Sequence, residues 1–481
     1  MSDQLMDRRD DPRTGGLASG SLGVWAIVFF VMSAAAPLTV VASGAPLTVL
    51  IGGIGGPGAM LASGVVLALF AAGFTAMTGY VRNAGAFYAY ATRGLGGHVG
   101  AGAASLTTFG YAVLLLGFYG FLGFFADLTA TELFGLDLPW GVWALVLAAF
   151  VGFLGFRQVE MGAKVLAVLL TAEVLLLLAM SLAVLIKGGP EPLSLAPFNP
   201  SNWLLAPGAG ALFVLGFGAY IGFEGTAIYA EEAKDPERTV PRATYVAIAF
   251  LAIFYAFTFY CFIAAFGFEG VVAAVTEGDF TLLPFAQAET YLGPLAVKVL
   301  QILIVTSFLA CLISFHNACS RYLFSLGRSG LLPARLGRSH AVHQSPATAS
   351  LLLTGFSMVA IAITIAFGLD PYLDLGVKPY ASGVVAIVAA QAICAIAVVA
   401  FFATDRRGHS PLRVVVAPAV AAVALAVGVY LIATNFSVVT GFEGTANTVL
   451  LLLPVVAFIL GVVRYAVARP SLEVDESLSV D

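Results

Sequence analysis

Charge is what this sequence has least of. Only 10% of its 481 residues are Asp, Glu, Lys or Arg, against about a quarter in soluble globular chains. A water-facing surface of ordinary composition is thereby excluded. Cysteine is scarce too: Cys261, Cys311, Cys319 and Cys394 all fall inside apolar runs. There they read as small packing residues, not as a disulfide framework. Histidine numbers five, and only His340 and His343 have a ligand-like spacing. They sit in a polar connection without cysteine or acidic partners, so neither a metal nor any other cofactor is expected. The formal net charge is −5 and the basic residues are scattered, which gives nucleic acid no patch to bind. A cleavable secretory signal is also missing. A polar tail, Met1 to Gly20 with Arg8, Arg9 and Arg13, precedes an apolar run too long for a signal peptide.

What fills the chain is apolar: 60% of residues, at a mean hydropathy of +0.98. A helix needs about 20 apolar residues to cross a bilayer, because every backbone polar group there must be bonded internally. Runs of that length without charge occur at 24–51, 57–80, 100–126, 138–156, 243–268, 299–320, 346–369, 379–404, 414–440 and 445–463. Two more, 165–186 and 203–229, are as apolar but hold Glu173 and Glu224 respectively. The expectation is an all-α polytopic membrane protein of twelve transmembrane helices, embedded in lipid, without a soluble domain or catalytic constellation.

Lysine and arginine set the orientation, since cytoplasmic loops retain them. Twelve spans with the amino terminus inside place nineteen of the 22 basic residues on the cytoplasmic face, leaving Lys187, Lys298 and Lys378 outside. Both termini are then cytoplasmic. The stretch Arg82–Gly97 reads as a cytoplasmic interfacial helix, too short and polar for a span.

Two spans are weakened near their centres: Ser33–Pro37 in the first and Gly216–Ala227 in the sixth. Proline removes a donor and glycine sacrifices helix propensity. Lipid tolerates unwinding only where the freed groups find protein, water or a solute. Small residues at such spacings also form helix-packing faces. The two interruptions lie five spans apart, where an inverted five-plus-five repeat places equivalent helices. Such paired breaks offer N–H groups to a carboxylate and carbonyls to an ammonium, so a zwitterion fits both. Phe217, Gly218, Ile221 and Phe223 would line the side-chain end, with walls from the third and eighth spans. Gly218 leaves room there for a neutral or bulky substrate side chain. Carboxylates inside a membrane are costly and mark function. Glu224 serves a proton, a substrate ammonium or the unwound backbone as a strut; Glu173 serves a proton or a structural hydrogen bond. His316 and Asn317 pack against these sites or bond a neighbouring helix. The hexapeptide GFEGTA occurs at both 222–227 and 441–446, and the second copy, in an outer connection, is read as coincidence.

The stretch FGAYIGFEGTAIYAEEAKDPERTVPRA at 217–243 resembles the amino acid-polyamine-organocation superfamily of permeases. Its aromatic-x-Gly-x-Glu core and its Lys-x-Pro-x-Arg-x-x-Pro loop stand here as Gly222, Glu224, Lys234, Pro236, Arg238 and Pro241. The stretches at 85–97 and 320–338 agree. The resemblance implies the LeuT-like inverted fold with broken helices 1 and 6 plus two additional helices. By it, residues 1–20 form a cytoplasmic tail, 21–187 the first five-helix repeat, 188–404 the second, 405–468 helices 11 and 12, and 469–481 a second tail. It implies a secondary active amino acid permease working by alternating access in the cell inner membrane, with H+ as coupling ion. Carried over by position, Ser33, Ala34, Ala35 and Ala36 match the first break, and Gly218, Ile221, Gly222 and Glu224 the second. Two departures stand out. The first break lacks the usual Gly-Ser-Gly, and Glu173 occupies the position of a lysine that replaces sodium in cationic-amino-acid-type relatives. A polyamine or organic-cation exchanger, or a membrane solute sensor, would use the same frame. The sequence leaves the oligomeric state open.

Overall fold

A computed structural model describes residues 23–81, 86–157, 163–228, 233–340, 343 and 345–468. The amino-terminal tail with its three arginines, Arg82, Arg469 and the carboxy-terminal tail lie outside the described residues. The described chain is helical, and ten of its helical stretches are long and apolar enough to cross a membrane. The first of these, Val24–Met77, runs for 54 residues and takes in two of the runs read from the sequence. It consists of α1 (Val24–Ala35), α2 (Pro37–Gly52), a short 3-10 turn and α3 (Gly56–Met77). The turn falls where four glycines, Gly52, Gly53, Gly55 and Gly56, crowd the sequence, and Gly53 takes a φ of +67° that a side chain would resist.

The chain continues through α4 (Ala86–Leu95), α5 (Gly97–Phe134), α6 (Trp140–Arg157) and α7 (Ala163–Lys187). At 1.5 Å per residue, α5 is about 57 Å long, well beyond the hydrocarbon thickness. Most of it is buried, with α4, α14, α16 and α19 packed along it. The expected helix near Arg82–Gly97 is present as α4. It is packed into the protein: Phe87, Tyr88 and Tyr90 are buried against α5 and α16. Aromatic residues explain the packing, because their rings bury large apolar areas.

The sixth apolar run does not form one helix. It is divided among α8 (Pro200–Trp203), α9 (Leu212–Gly218) and α10 (Gly225–Ile228). Beyond it come α11 (Pro236–Phe266), the short pair α12 (Gly270–Glu277) and α13 (Leu283–Leu292), then α14 (Pro294–Arg328) and α15 (Ala347–Ala366). The start of α12 is held by Glu191, whose carboxylate accepts the N–H groups of Phe268 at 2.7 Å and of Glu269 at 3.1 Å. That satisfies donors a helix end leaves open. A π-helical turn, Pro371–Val377, leads into α16 (Lys378–Thr404), and a second, Leu412–Val416, into α17 (Ala417–Thr434). The last elements are α18 (Phe436–Thr440) and α19 (Thr445–Ala468).

The two GFEGTA copies fold differently. In the first, Glu224 is buried; in the second, residues 441–446 are exposed and lead into α19. Phe442 of the second copy lies under the Lys378 ammonium, 3.2 Å from its ring centre. The hexapeptide dictates no conformation of its own.

Candidate functional site

The first break is one residue wide. Ala36 adopts left-handed backbone, φ 44° and ψ 72°, between the end of α1 and Pro37 at the head of α2. Proline explains it: the ring disfavours right-handed helix in the residue before it and supplies no N–H. Ser33 is turned inward on its own helix, donating to the Phe29 carbonyl at 2.9 Å. Ala34, Ala35 and Ala36 carry no polar side chain, so the first break offers backbone alone.

The second break runs from Gly218 to Gly225 as successive tight turns. N–H groups of Tyr220, Ile221, Phe223 and Gly225 reach back three residues to Phe217, Gly218, Tyr220 and Gly222. Gly222, at φ +115°, donates instead to Glu224 Oε2 at 2.9 Å. The other oxygen of Glu224 accepts the hydroxyl of Tyr111 from α5. The carboxylate is thus 1% exposed and held by one donor from the break and one from a long helix.

The two breaks touch. A Cβ built on Gly222 would lie 3.4 Å from the Cβ of Ala34. The first break has its own carboxylate as well. Glu173 of α7 is buried, accepts the Ser307 hydroxyl of α14 at 2.9 Å, and lies near the N–H of Leu38. Leu38 is the second residue of α2, where free N–H groups and the helix dipole favour negative charge. Each break therefore carries a buried carboxylate, and each carboxylate is completed by a hydroxyl from one of the two longest helices.

Not every expected lining residue faces this junction. The Phe217 ring packs beside Gly428 of α17, where an added Cβ would lie 2.5 Å from it. Phe223 meets Phe70 of α3 edge to face at 6.0 Å. The room expected at Gly218 is filled by Tyr380 of α16, whose Cζ would be 2.8 Å from a Cβ there. Ile221 is buried beside the turn. His316 bonds Ser350 of α15 at 2.8 Å, the neighbouring-helix alternative. His340 and His343 stack at 4.9 Å, and among the described residues no group of three or more His, Cys, Asp or Glu could hold a metal.

Sequence reasoning missed Tyr111, Ser307 and Tyr380. Hydroxyls are common in this chain, which has sixteen tyrosines, and no spacing singles these out. Aromatic layers flank the junction. Towards α4, Tyr111 lies 5.5 Å from Tyr322, Tyr322 lies 6.2 Å from Tyr88, and the Tyr88 hydroxyl bonds Ser325 at 2.7 Å. Towards the π-helical turn before α16, Tyr372 donates to the Ser43 carbonyl of α2 at 2.8 Å and packs among Phe121, Phe124 and Phe280.

Comparison with known proteins agrees with this architecture. The chain is similar to the Branched-chain amino acid permease BcaP of Lactococcus lactis subsp. cremoris (strain MG1363), 26% identical over 202 residues, 41% of each chain. It is similar to Amino acid transporter protein 6 of Caenorhabditis elegans, 26% identical over 258 residues, 53% of this chain and 46% of the relative. The Histidine permease HisP of the same Lactococcus strain is 29% identical over 167 residues, 34% of each chain. In these three the match spans less than half of the relative. These relatives are named as permeases and transporters, not as enzymes. The family model described as Amino acid permease matches residues 22–463, nearly the whole chain, and the protein belongs to that family.

Proposed function

We propose that the protein is a secondary active amino acid permease that works by alternating access, with the amino acid head group bound where the two breaks meet. The observation that carries this reading is the contact between Gly222 and Ala34. It brings the second break beside the end of α1, where the first break begins, and each break has a buried carboxylate against it. The zwitterion's carboxylate would take N–H groups near Gly222 and at the head of α2, and its ammonium the carbonyls ending α1 and α9. Ser33, Ala34, Ala35, Ala36, Gly218, Ile221, Gly222 and Glu224 surround that position in our reading, with Phe217 and Phe223 supporting it from behind.

Twelve spans follow if α1 with α2, α3, and α9 with α10 each count as one crossing. An inverted five-plus-five repeat then pairs α5 with α14 and the first break with the second. The two carboxylate clusters support that pairing: the break at Gly222 engages α5 through Glu224 and Tyr111, and the break at Leu38 engages α14 through Glu173 and Ser307. Both termini lie in the cytoplasm of a cell whose inner membrane holds the protein. Glu224 and Glu173 are the proton carriers, each gaining or losing a proton as its hydroxyl partner moves with the rocking bundle.

The test is uptake of labelled amino acids into proteoliposomes under separately imposed pH and sodium gradients. Accumulation driven by an inward proton gradient is expected. No uptake or exchange across a broad amino acid panel overturns the substrate reading, and sodium dependence without proton dependence overturns the coupling. Competition by putrescine, which has no carboxylate, would move the assignment to an organic-cation exchanger. Saturable binding without flux would make the protein a sensor.

A further inference from the structure

The surface formed by α3, α11 and α17 holds a feature that amino acid transport does not use. α3 packs closely on α11 along one flank, where a Cβ at Gly64 would lie 2.7 Å from that of Ala252, and on α17 along the other, where a Cβ at Gly73 would lie 2.9 Å from Pro418. Glycine at these two contacts lets the backbones approach. All three helices present exposed apolar side chains: Ile253 of α11 is 68% exposed, Val423 of α17 66% and Val65 of α3 61%. On α3 itself Ala68 and Leu69 are half-buried and Ala72 is buried. The result is an apolar strip on α3 that sinks inward from Val65 towards the carboxy-terminal end of that helix.

At that end the strip meets cations. Arg413, in the π-helical turn before α17, lies close enough to act electrostatically on both Tyr245 of α11 and His409. Arg407 stacks on Tyr80, just past α3, at 4.8 Å and on Phe401 at 4.5 Å. Its backbone is left-handed, φ 49°, a conformation that bulky residues rarely adopt. The turn is fixed by the Arg407 N–H donating to Asp405 at 2.8 Å. His409 bonds the Tyr80 hydroxyl at 3.1 Å and sits edge-on to Tyr80 and Phe402. Among the described residues, Asp405 is engaged in the turn and Glu237 acts on His409.

We propose that this strip and its arginines form a binding site for an anionic phospholipid, one acyl chain lying along α3 between α11 and α17 and the phosphate held by Arg407 and Arg413. Charge complementarity selects the occupant. Two guanidinium groups at the end of a membrane-facing apolar strip match a molecule with an anionic head and a long apolar tail, and basic pockets between spanning helices recognise such head groups. From Val65 to Tyr80 the chain rises about 20 Å, comparable with the depth of one leaflet. The site needs only that the chain resides in a bilayer, so it stands independently of which solute is carried.

The experiment uses the purified full chain in neutral detergent. Thermal unfolding is followed while phosphatidylglycerol, phosphatidylcholine of the same acyl chains, or inorganic phosphate is added. Phosphatidylglycerol should raise the midpoint saturably and phosphatidylcholine should not. Arg407→Gln and Arg413→Gln should each weaken the apparent affinity about fivefold, with Arg413→Lys retaining most of it. Val65→Trp should weaken it with the charges intact, and Glu237→Gln should tighten it. Equal stabilisation by the two lipids overturns the proposal, as does full affinity in both arginine-to-glutamine variants. Saturable stabilisation by inorganic phosphate alone would show a free-anion site instead. If Arg413→Gln does not fold, Arg407→Gln, in an exposed turn, decides the question.

Discussion

Gly222 and Gly225 sit three residues apart in the same break, and replacing each with alanine should have opposite consequences. At Gly222 the obstacle is the backbone. A Cβ there would meet Ala34 at 3.4 Å, a contact a small local shift relieves, but φ is +115°, outside the regions open to L-residues. Holding alanine there costs about 1–3 kcal/mol, equivalent to a population shift of roughly 5- to 150-fold. The chain can escape that cost by releasing the Gly222 N–H from Glu224, which dismantles the junction. At Gly225 no positive φ arises, and the nearest neighbour of an added Cβ is Val31 at 4.0 Å. Gly225 begins α10, so alanine there should be neutral or stabilising by up to about 1 kcal/mol. The assay is uptake by reconstituted protein of an amino acid that the wild type carries, alongside thermal unfolding in detergent. Gly222→Ala should raise the apparent KM at least about fivefold, and Gly225→Ala should leave it unchanged. Indistinguishable variants would refute the claim that the working state requires the observed turn.

Other perturbations probe the surroundings. Tyr111→Phe removes one of two donors to Glu224 and should cost about 1.5–3 kcal/mol, the range for a hydrogen bond to a charged group; unfolding in detergent measures it. Glu224→Gln and Glu173→Gln should each flatten the pH dependence of uptake while the protein still inserts, and a preserved profile in both would remove them from coupling. Gly218→Ala drives a methyl into Tyr380 and should lower stability by about 1–3 kcal/mol, with partial recovery when Tyr380→Leu is added. His409 lies outside the spans, and burial, aided by Arg413 and opposed by Glu237, holds its ring below the ordinary imidazole value. A ring that resists protonation when folded stabilises fully above about pH 6.5 and progressively less as the pH falls. Thermal midpoints measured from pH 7.5 to 5 should therefore decline more steeply for the wild type than for His409→Gln.

Helices that meet lipid were legible in the sequence because hydropathy is nearly sufficient there: apart from the divided sixth run, each run read as a span falls largely on helix in the structure. The breaks were legible for a related reason, since Pro37 and the cluster at Gly216, Gly218, Gly222 and Gly225 act on the backbone locally. Side-chain direction was not. Phe217 lies in the last turn of α9 and Gly218 and Phe223 in the break that follows, yet the three positions face different neighbours, α17, α16 and α3. Periodicity cannot report such aim once the 3.6-residue repeat is lost. Tyr111 and Ser307 stayed hidden because their partners are 113 and 134 residues away in the chain.

In the proposed cycle, those long-range bonds bear on the roles that the sequence left open for the buried glutamates. A strut needs only the nearby backbone, and Glu224 has that in the Gly222 N–H, as Glu173 has it in Leu38. Neither stops there. Each reaches a hydroxyl on a different long helix, so each carboxylate joins a break to a second element. Moving one element past the other must then stretch or exchange a hydrogen bond to a buried carboxylate, and losing such a donor in an apolar setting is expensive unless the group is neutralised. Protonation is the available neutralisation. Under the proposed alternating access, a carboxylate bonded only within its own break would ride along unchanged, whereas one that bridges break and scaffold would feel each step. Replacing Ser307 by alanine should therefore alter the pH profile of uptake while leaving the Leu38 contact in place, and a profile identical to the wild type would reduce Glu173 to a helix cap.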